Sequence, residues 1–145
     1  MATAERRAEV VWEGDLARGK GRFTVGSGAH GEQDVTWASR TERSEGKTSP
    51  EELIAAAQGA CFAMAFSNVL AQGGTPPERL EIDTVCTFDA DNVKVSSMEL
   101  DIRARVPGID EEGFQDAVAQ AEQGCPVSNA LRGNVEVRVN ASLEG

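Results

Sequence analysis

Three cysteines and one histidine are the side chains of this 145-residue chain best suited to covalent or redox chemistry. Two of the cysteines stand in distinctive settings, Gly59-Ala60-Cys61-Phe62 and Gly124-Cys125-Pro126-Val127-Ser128. Together they suggest a paired-thiol redox centre, and because they are 64 positions apart only the fold can bring them together. Cys125 follows a glycine and precedes a proline that reads as the first residue of a helix. A thiol at a helix N-terminus has its thiolate favoured, so on physical grounds alone Cys125 is the more reactive of the two. Cys61 lies inside an apolar helical pattern, where an unpaired thiol ordinarily behaves as a small hydrophobe. Cys86 falls on the apolar face of a strand pattern and reads as core. His30 is alone in a glycine-rich loop and reads as a surface residue, so there is no His/Cys/acid cluster with zinc spacing and no metal site is expected.

The elements that must position these thiols follow from periodicity. Ala8, Val10 and Trp12 alternate with polar residues, Arg18-Gly19-Lys20-Gly21 turns the chain, and Arg22 to Val25 begins a second strand. Residues 26–31 form a loop, Asp34 to Ala38 reads as a third strand, and the charged stretch Arg40 to Lys47 reads as a mobile loop. Ser49-Pro50-Glu51-Glu52 is a strong helix start: Ser49 can cap, proline suits the first helical position and the two acids complement the positive end of the dipole. The helix runs to about Gln72, where Gly73-Gly74-Thr75-Pro76-Pro77 ends it. Its many alanines leave little bulk on any face, which marks it as central. Leu80, Ile82, Thr84, Cys86 and Phe88 share one face of a fourth strand, and Met98, Leu100, Ile102, Ala104 and Val106 one face of a fifth, with Asp91-Asn92 between them. A second helix from about Asp110 to Gln123, a short third from Pro126 to Leu131 and a last strand through Val135, Val137, Val139 and Ala141 complete an α+β chain, read as one domain over residues 1–145.

Composition sets outer bounds. A net charge of −10 and a pI near 4.6 disfavour nucleic acid and acidic membranes. No apolar run follows the two early arginines, and no window is expected to approach membrane-spanning length, so a cytoplasmic location is expected. An odd number of cysteines in a reducing compartment favours catalytic or free thiols over a structural disulfide framework. Aromatics make up only 5% of the chain, so the core rests on aliphatic residues and would gain from a second subunit.

The wording around the cysteines, Ser49-Pro50-Glu51-Glu52-Leu53-Ile54 through Cys61-Phe62-Ala63-Met64, then Val106-Pro107-Gly108-Ile109-Asp110 and Gly124-Cys125-Pro126-Val127-Ser128, resembles the OsmC branch of the OsmC/Ohr family of thiol peroxidases. The likeness begins at Val11-Trp12-Glu13-Gly14-Asp15 and reaches the closing strand. It implies the OsmC-like fold, in which N-terminal strands, a long central helix and a second sheet with two further helices build an intertwined homodimer. It also implies reduction of organic hydroperoxides without a bound cofactor. In that pattern Cys61 is the peroxidatic cysteine that becomes a sulfenic acid, Cys125 resolves it as a disulfide, and an external dithiol, lipoyl-type by resemblance, restores both thiols.

A thiol in an apolar pocket stays protonated unless a cation is near, and the family supplies an arginine held by a glutamate. The resemblance maps these onto Arg40 and Glu51, with Arg43 as the fallback and Arg18 and Arg22 as outside candidates. For the arginines the plain alternative is a solvated surface charge, and for Glu51 simple dipole complementation. The resemblance also implies alkyl or fatty-acid hydroperoxides in preference to hydrogen peroxide, and the alanines, Phe62 and Met64 are expected to form an apolar pocket for an acyl chain. The competing reading is a non-catalytic thiol redox sensor or binding protein, oxidised once and stoichiometrically. A structural protein with incidental thiols is a third.

Overall fold

The computed structural model describes residues 3–144. Among them, six strands and four helices fall into two compact units, one ending at Pro50 and the other beginning at Glu51.

The N-terminal unit is a three-stranded antiparallel sheet of β1 (Ala8–Glu13), β2 (Lys20–Val25) and β3 (Gln33–Val35), in that order. Trp12 pairs with Gly21 across the first ladder. A Cβ at Gly21 would stand 2.6 Å from the indole Cε3 of Trp12, so the glycine lets the ring lie across the sheet. All six residues of β1 are exposed.

The expected strand through Ala38 stops at Val35. Thr36 turns out to be the cap of a short helix, α1 (Trp37–Thr41). The Thr36 hydroxyl accepts from the Ser39 N–H at 3.0 Å, the Ser39 hydroxyl accepts from the Thr36 N–H at 2.9 Å, and Ser39 Oγ also donates to the Thr48 carbonyl at 2.9 Å. This reciprocal capping satisfies N–H groups at the start of the helix, and it outweighs the alternating pattern. Arg40 therefore rides on a helix, neither on a strand nor in a loop.

In the second unit, α2 (Pro50–Gln72) presents Glu51, Gln58, Phe62, Phe66 and Leu70 as its buried residues. The last four recur every fourth position and form one face. Gly74, at φ +90°, carries the chain out of the helix. The sheet comprises β4 (Arg79–Asp89), β5 (Lys94–Arg105) and β6 (Glu136–Leu143). β4 and β5 are antiparallel, joined by a turn in which Asp89 accepts from the N–H groups of Asp91 and Asn92. β6 runs parallel to β5, which requires a long crossover, supplied by α3 (Glu111–Gly124) and α4 (Pro126–Leu131). Asp110 caps α3 by accepting from the Gly113 N–H at 2.7 Å.

The core of this unit joins Phe62, Phe66 and Leu70 of α2 to Met98, Leu100, Ile102 and Ala104 of β5 and to Phe114, Ala117, Val118 and Ala121 of α3. Phe66 stacks against Phe62 at 5.8 Å and Phe114 at 5.6 Å between ring centroids. The helix approaches β4 closely at Gly59, where an added Cβ would meet Thr84 Cγ2 at 3.3 Å, and Thr84 Oγ1 donates to the Ala55 carbonyl at 2.8 Å. That seam fixes the height of Cys61 above the sheet.

One expectation is overturned by α2. An 18-residue window within it has a mean hydropathy of 1.6, enough by length and composition to cross a membrane. The apolarity has another use here, because its phenylalanine face is a wall of the protein core. The opposite side exposes Leu53 and Met64, the latter 73% exposed.

Candidate active site

Cys61 and Cys125 meet inside the second unit. Cys61 lies mid-way along α2, and Cys125 occupies the junction between α3 and α4 in extended backbone, at φ −83° and ψ 113°. Both are free thiols, Cys61 half-buried and Cys125 fully buried, and each side chain acts on the charge of the other.

The pair divides its proton unequally. Burial acts most strongly on Cys125 and by itself would raise its pKa, but the Ser128 hydroxyl and N–H, the Cys61 thiol and the Val127 N–H together outweigh it and hold Cys125 below the ordinary thiol range. Burial pushes Cys61 up; the Val127 N–H opposes this, while the hydrogen bond to Cys125 and its charge add to the rise. Within one chain the proton is thus held more firmly by Cys61 than by Cys125. This agrees with the sequence argument for Cys125, though the cause is more local than a helix dipole. α4 has only six residues and Cys125 makes no full side-chain capping bond. Two adjacent N–H groups and one hydroxyl favour the negative sulfur instead.

Sequence reasoning missed the polar support behind this sulfur. Gln58, one turn before Cys61, donates through Nε2 to Ser128 Oγ at 2.6 Å, and both side chains are fully buried. The signal was present as a single long polar residue in the otherwise apolar row Gln58, Phe62, Phe66, Leu70, and as a serine three positions after Cys125.

The remaining candidates are placed as follows. Glu51 is buried, at 6% exposure, in the first turn of α2, and its charge acts on Cys86. Cys86, half-buried against the core on β4, has its pKa raised first by burial and then by Glu51, so its thiolate is disfavoured. Glu51 and Cys61 are ten positions apart on one unbroken helix, a separation of roughly 15 Å. In the N-terminal unit, the Arg40 guanidinium lies 5.8 Å from the Trp37 ring centroid, on the wall of a cavity of about 260 Å³ that Trp12, Leu16 and Val35 also line. Arg22 pairs with Glu13 at 2.8 Å and Glu32 at 3.7 Å as a surface cross-strand ion pair. The Arg18 N–H donates to Asp15 in the hairpin turn, and the Arg43 N–H to the Ala38 carbonyl after α1. His30 is exposed, edge-on to Phe23 at 6.2 Å. Among the described residues no group of three or more His, Cys, Asp or Glu side chains is placed to hold a metal ion.

Phe62 and Met64 do not share the expected acyl pocket. Two residues along a helix point about 200° apart, so Phe62 enters the core while Met64 lines an outer groove with Ala63, Ser67 and Leu80.

Residues 43–140 match the family described as OsmC-like protein. The chain is 37% identical to peroxiredoxin OsmC of Escherichia coli (strain K12), covering 92% of this chain and 94% of that one. It is 35% identical to the organic hydroperoxide resistance protein of Xanthomonas axonopodis pv. citri over 62% of this chain and 63% of the relative. Among solved structures, an organic hydroperoxide resistance protein OsmC from Legionella pneumophila superposes with a TM-score of 0.73 at 26% identity, covering 98% of this chain and 99% of that chain.

Proposed function

The chain belongs to the OsmC-like protein family, and on that premise we propose that it is a thiol peroxidase that reduces organic hydroperoxides to alcohols with Cys61 and Cys125 and so protects against oxidative stress. The observation that carries this reading is the contact between two free thiols 64 positions apart, with their proton divided unequally. The relatives' names, peroxiredoxin and organic hydroperoxide resistance protein, supply the reaction class and the substrate class.

In the cycle, the Cys61 thiolate attacks one oxygen of the O–O bond. An S–O bond forms, the O–O bond breaks, and the departing alkoxide takes a proton to leave as alcohol. Cys125 then attacks the sulfenic sulfur; the S–S bond forms, and the hydroxyl leaves as water after protonation. An external dithiol, lipoyl-type in our reading, accepts the disulfide by exchange, and no bound cofactor takes part.

For Cys61 to attack, the proton preference within the chain must be reversed, because burial and Cys125 both favour the Cys61 thiol. A guanidinium beside it would do this and would also stabilise the alkoxide. We assign that task to Arg40 held by Glu51, with Arg43 as the substitute. Glu51 and Cys61 of one chain are too far apart for one guanidinium to bond both, so the site takes the acid from one subunit and the thiol from the other in a homodimer. The exposed β1 and the outer face of α2, with Val10 at 67% and Met64 at 73% exposure, are apolar surfaces that a second copy would cover. The location we assign is cytoplasmic, where dithiol reductants keep such thiols reduced.

The test is consumption of tert-butyl or fatty-acid hydroperoxide with dihydrolipoamide, glutathione and thioredoxin supplied in turn. Many turnovers with the dithiol, and faster consumption than of hydrogen peroxide, are expected. A single stoichiometric oxidation that no reductant reverses catalytically would leave a redox sensor as the better reading.

A further inference from the structure

We propose that Gln58 and Ser128 form a buried positioning relay that aims one hydroxyl proton at the Cys125 sulfur, and so prepares Cys125 to attack an oxidised Cys61. The attack itself rests on the peroxidase reading above; the relay stands on its own geometry.

A serine hydroxyl has one proton and two acceptor positions. The Gln58 Nε2 amide donates into one of those positions at 2.6 Å, so the single Ser128 proton is released for another acceptor. The acceptor at hand is Cys125, which caps the short helix whose third residue is Ser128 and whose charged form the Ser128 hydroxyl favours. Gln58, Ser128 and Cys125 are each 0% exposed, so no bulk water competes for either bond, and in such surroundings a hydrogen bond to a charged sulfur is strong. The groups acting on the Cys125 sulfur are Ser128, Cys61 and Val127, of which only Cys61 titrates. Gln58 therefore acts on the charge only through Ser128.

Gln58 is also costly where it stands. Its Oε1 is buried without a hydrogen-bond partner, a penalty that an apolar side chain of equal size would avoid. A packing role alone does not call for an amide in a row of phenylalanine and leucine. Orientation of Ser128 does, because a donor at position 58 pins a serine lone pair and so turns the serine proton away from position 58. An acceptor there would capture it.

The experiment uses the Cys61→Ser, Cys86→Ala protein, in which Cys125 is the sole thiol. The chain has no tyrosine, so thiolate ultraviolet absorbance can be followed to high pH without tyrosinate interference. Gln58→Met and Ser128→Ala should each raise the Cys125 midpoint by about 1 pH unit, the scale of one hydrogen bond to a charged group. Combining them should raise it no further than Ser128→Ala alone, because Gln58 acts on the sulfur only through the Ser128 hydroxyl. Gln58→Glu, which places acceptor oxygens where the amide donates, should raise it at least as far, and Ser128→Thr should restore the starting midpoint. A relay is overturned if Gln58→Met and Gln58→Glu lower the melting temperature but leave the midpoint where it was, or if the two single shifts add. These titrations need no peroxide. A failure of hydroperoxide to link Cys61 to Cys125 in the wild-type chain would refute the peroxidase reading separately.

Discussion

Mixing two inactive subunits gives the most direct test of a site shared across a dimer. Helix α2 continues without a break from Pro50 to Gln72, so Glu51 and Cys61 of one chain are held roughly 15 Å apart along its axis. A guanidinium reaches its partners at about 2.7–2.9 Å and cannot span that distance to bond both. If Glu51 of one chain holds the arginine that serves Cys61 of the other, Cys61→Ser and Glu51→Ala dimers are each inactive at both sites. A mixed dimer gathers both lesions into one site and leaves the second wholly wild type. Random pairing of equal amounts makes about half the dimers mixed, each with one working site of two, so roughly a quarter of the wild-type activity should return. Co-expression with two affinity tags isolates the mixed dimer, which should then show about half the wild-type rate of hydroperoxide consumption with a dithiol. If the acid and the thiol of one site come from the same chain, every site in the mixed dimer carries a lesion. Persistent inactivity in verified mixed dimers, or full activity in a monomer, would refute the shared site.

Other outcomes follow from single substitutions. Cys61→Ser should abolish peroxide reduction, whereas Cys125→Ser should undergo one oxidation and then over-oxidise at Cys61, which mass spectrometry of the peroxide-treated proteins would reveal. Cys86→Ala should cost about 1 kcal/mol of stability with little loss of turnover at equal folded fraction. Because burial and Glu51 raise the Cys86 pKa, the wild-type fold should lose part of this advantage as pH climbs through and beyond the ordinary thiol range, where the unfolded chain gives up a proton that the folded chain keeps. Denaturant melts of the two proteins across alkaline pH check that narrowing. Phe66→Ala, which removes the ring between Phe62 and Phe114, should cost about 3–5 kcal/mol, measured by urea unfolding.

Much of the architecture was legible because its signals are local. The alternation of Leu80, Ile82, Thr84, Cys86 and Phe88, and of Met98 through Val106, marked two strands that pair as expected, and Pro50-Glu51-Glu52 with Gly73-Gly74 bounded α2 closely. The short helix at Trp37 escaped notice because its capping box uses Ser39, where the familiar pattern has Glu or Gln, inside a segment that alternates like a strand. The local settings of Cys61 and Cys125 suggested a pair, but their proximity and their unequal hold on a proton arise from the crossover between β5 and β6. The partnership of Gln58 with Ser128 spans 70 positions, and no local pattern encodes such a contact. Phe62 was misread as pocket lining because an alanine-rich helix hides which of its faces turns inward until the phenylalanine row is seen against α3.

The placement of the two thiols also has a mechanical consequence. A bond between mid-α2 and the α3–α4 junction would enclose β4, β5 and the whole of α3 in a covalent loop of 64 residues. In the chain-entropy picture, such a tether restricts the unfolded chain enough to strengthen the fold by about 4 kcal/mol. Each turnover would then alternate the protein between a laced and an unlaced form, with the laced form harder to melt. Heat or protease would find its opening in the reduced enzyme, after the dithiol has done its work and before the next peroxide arrives.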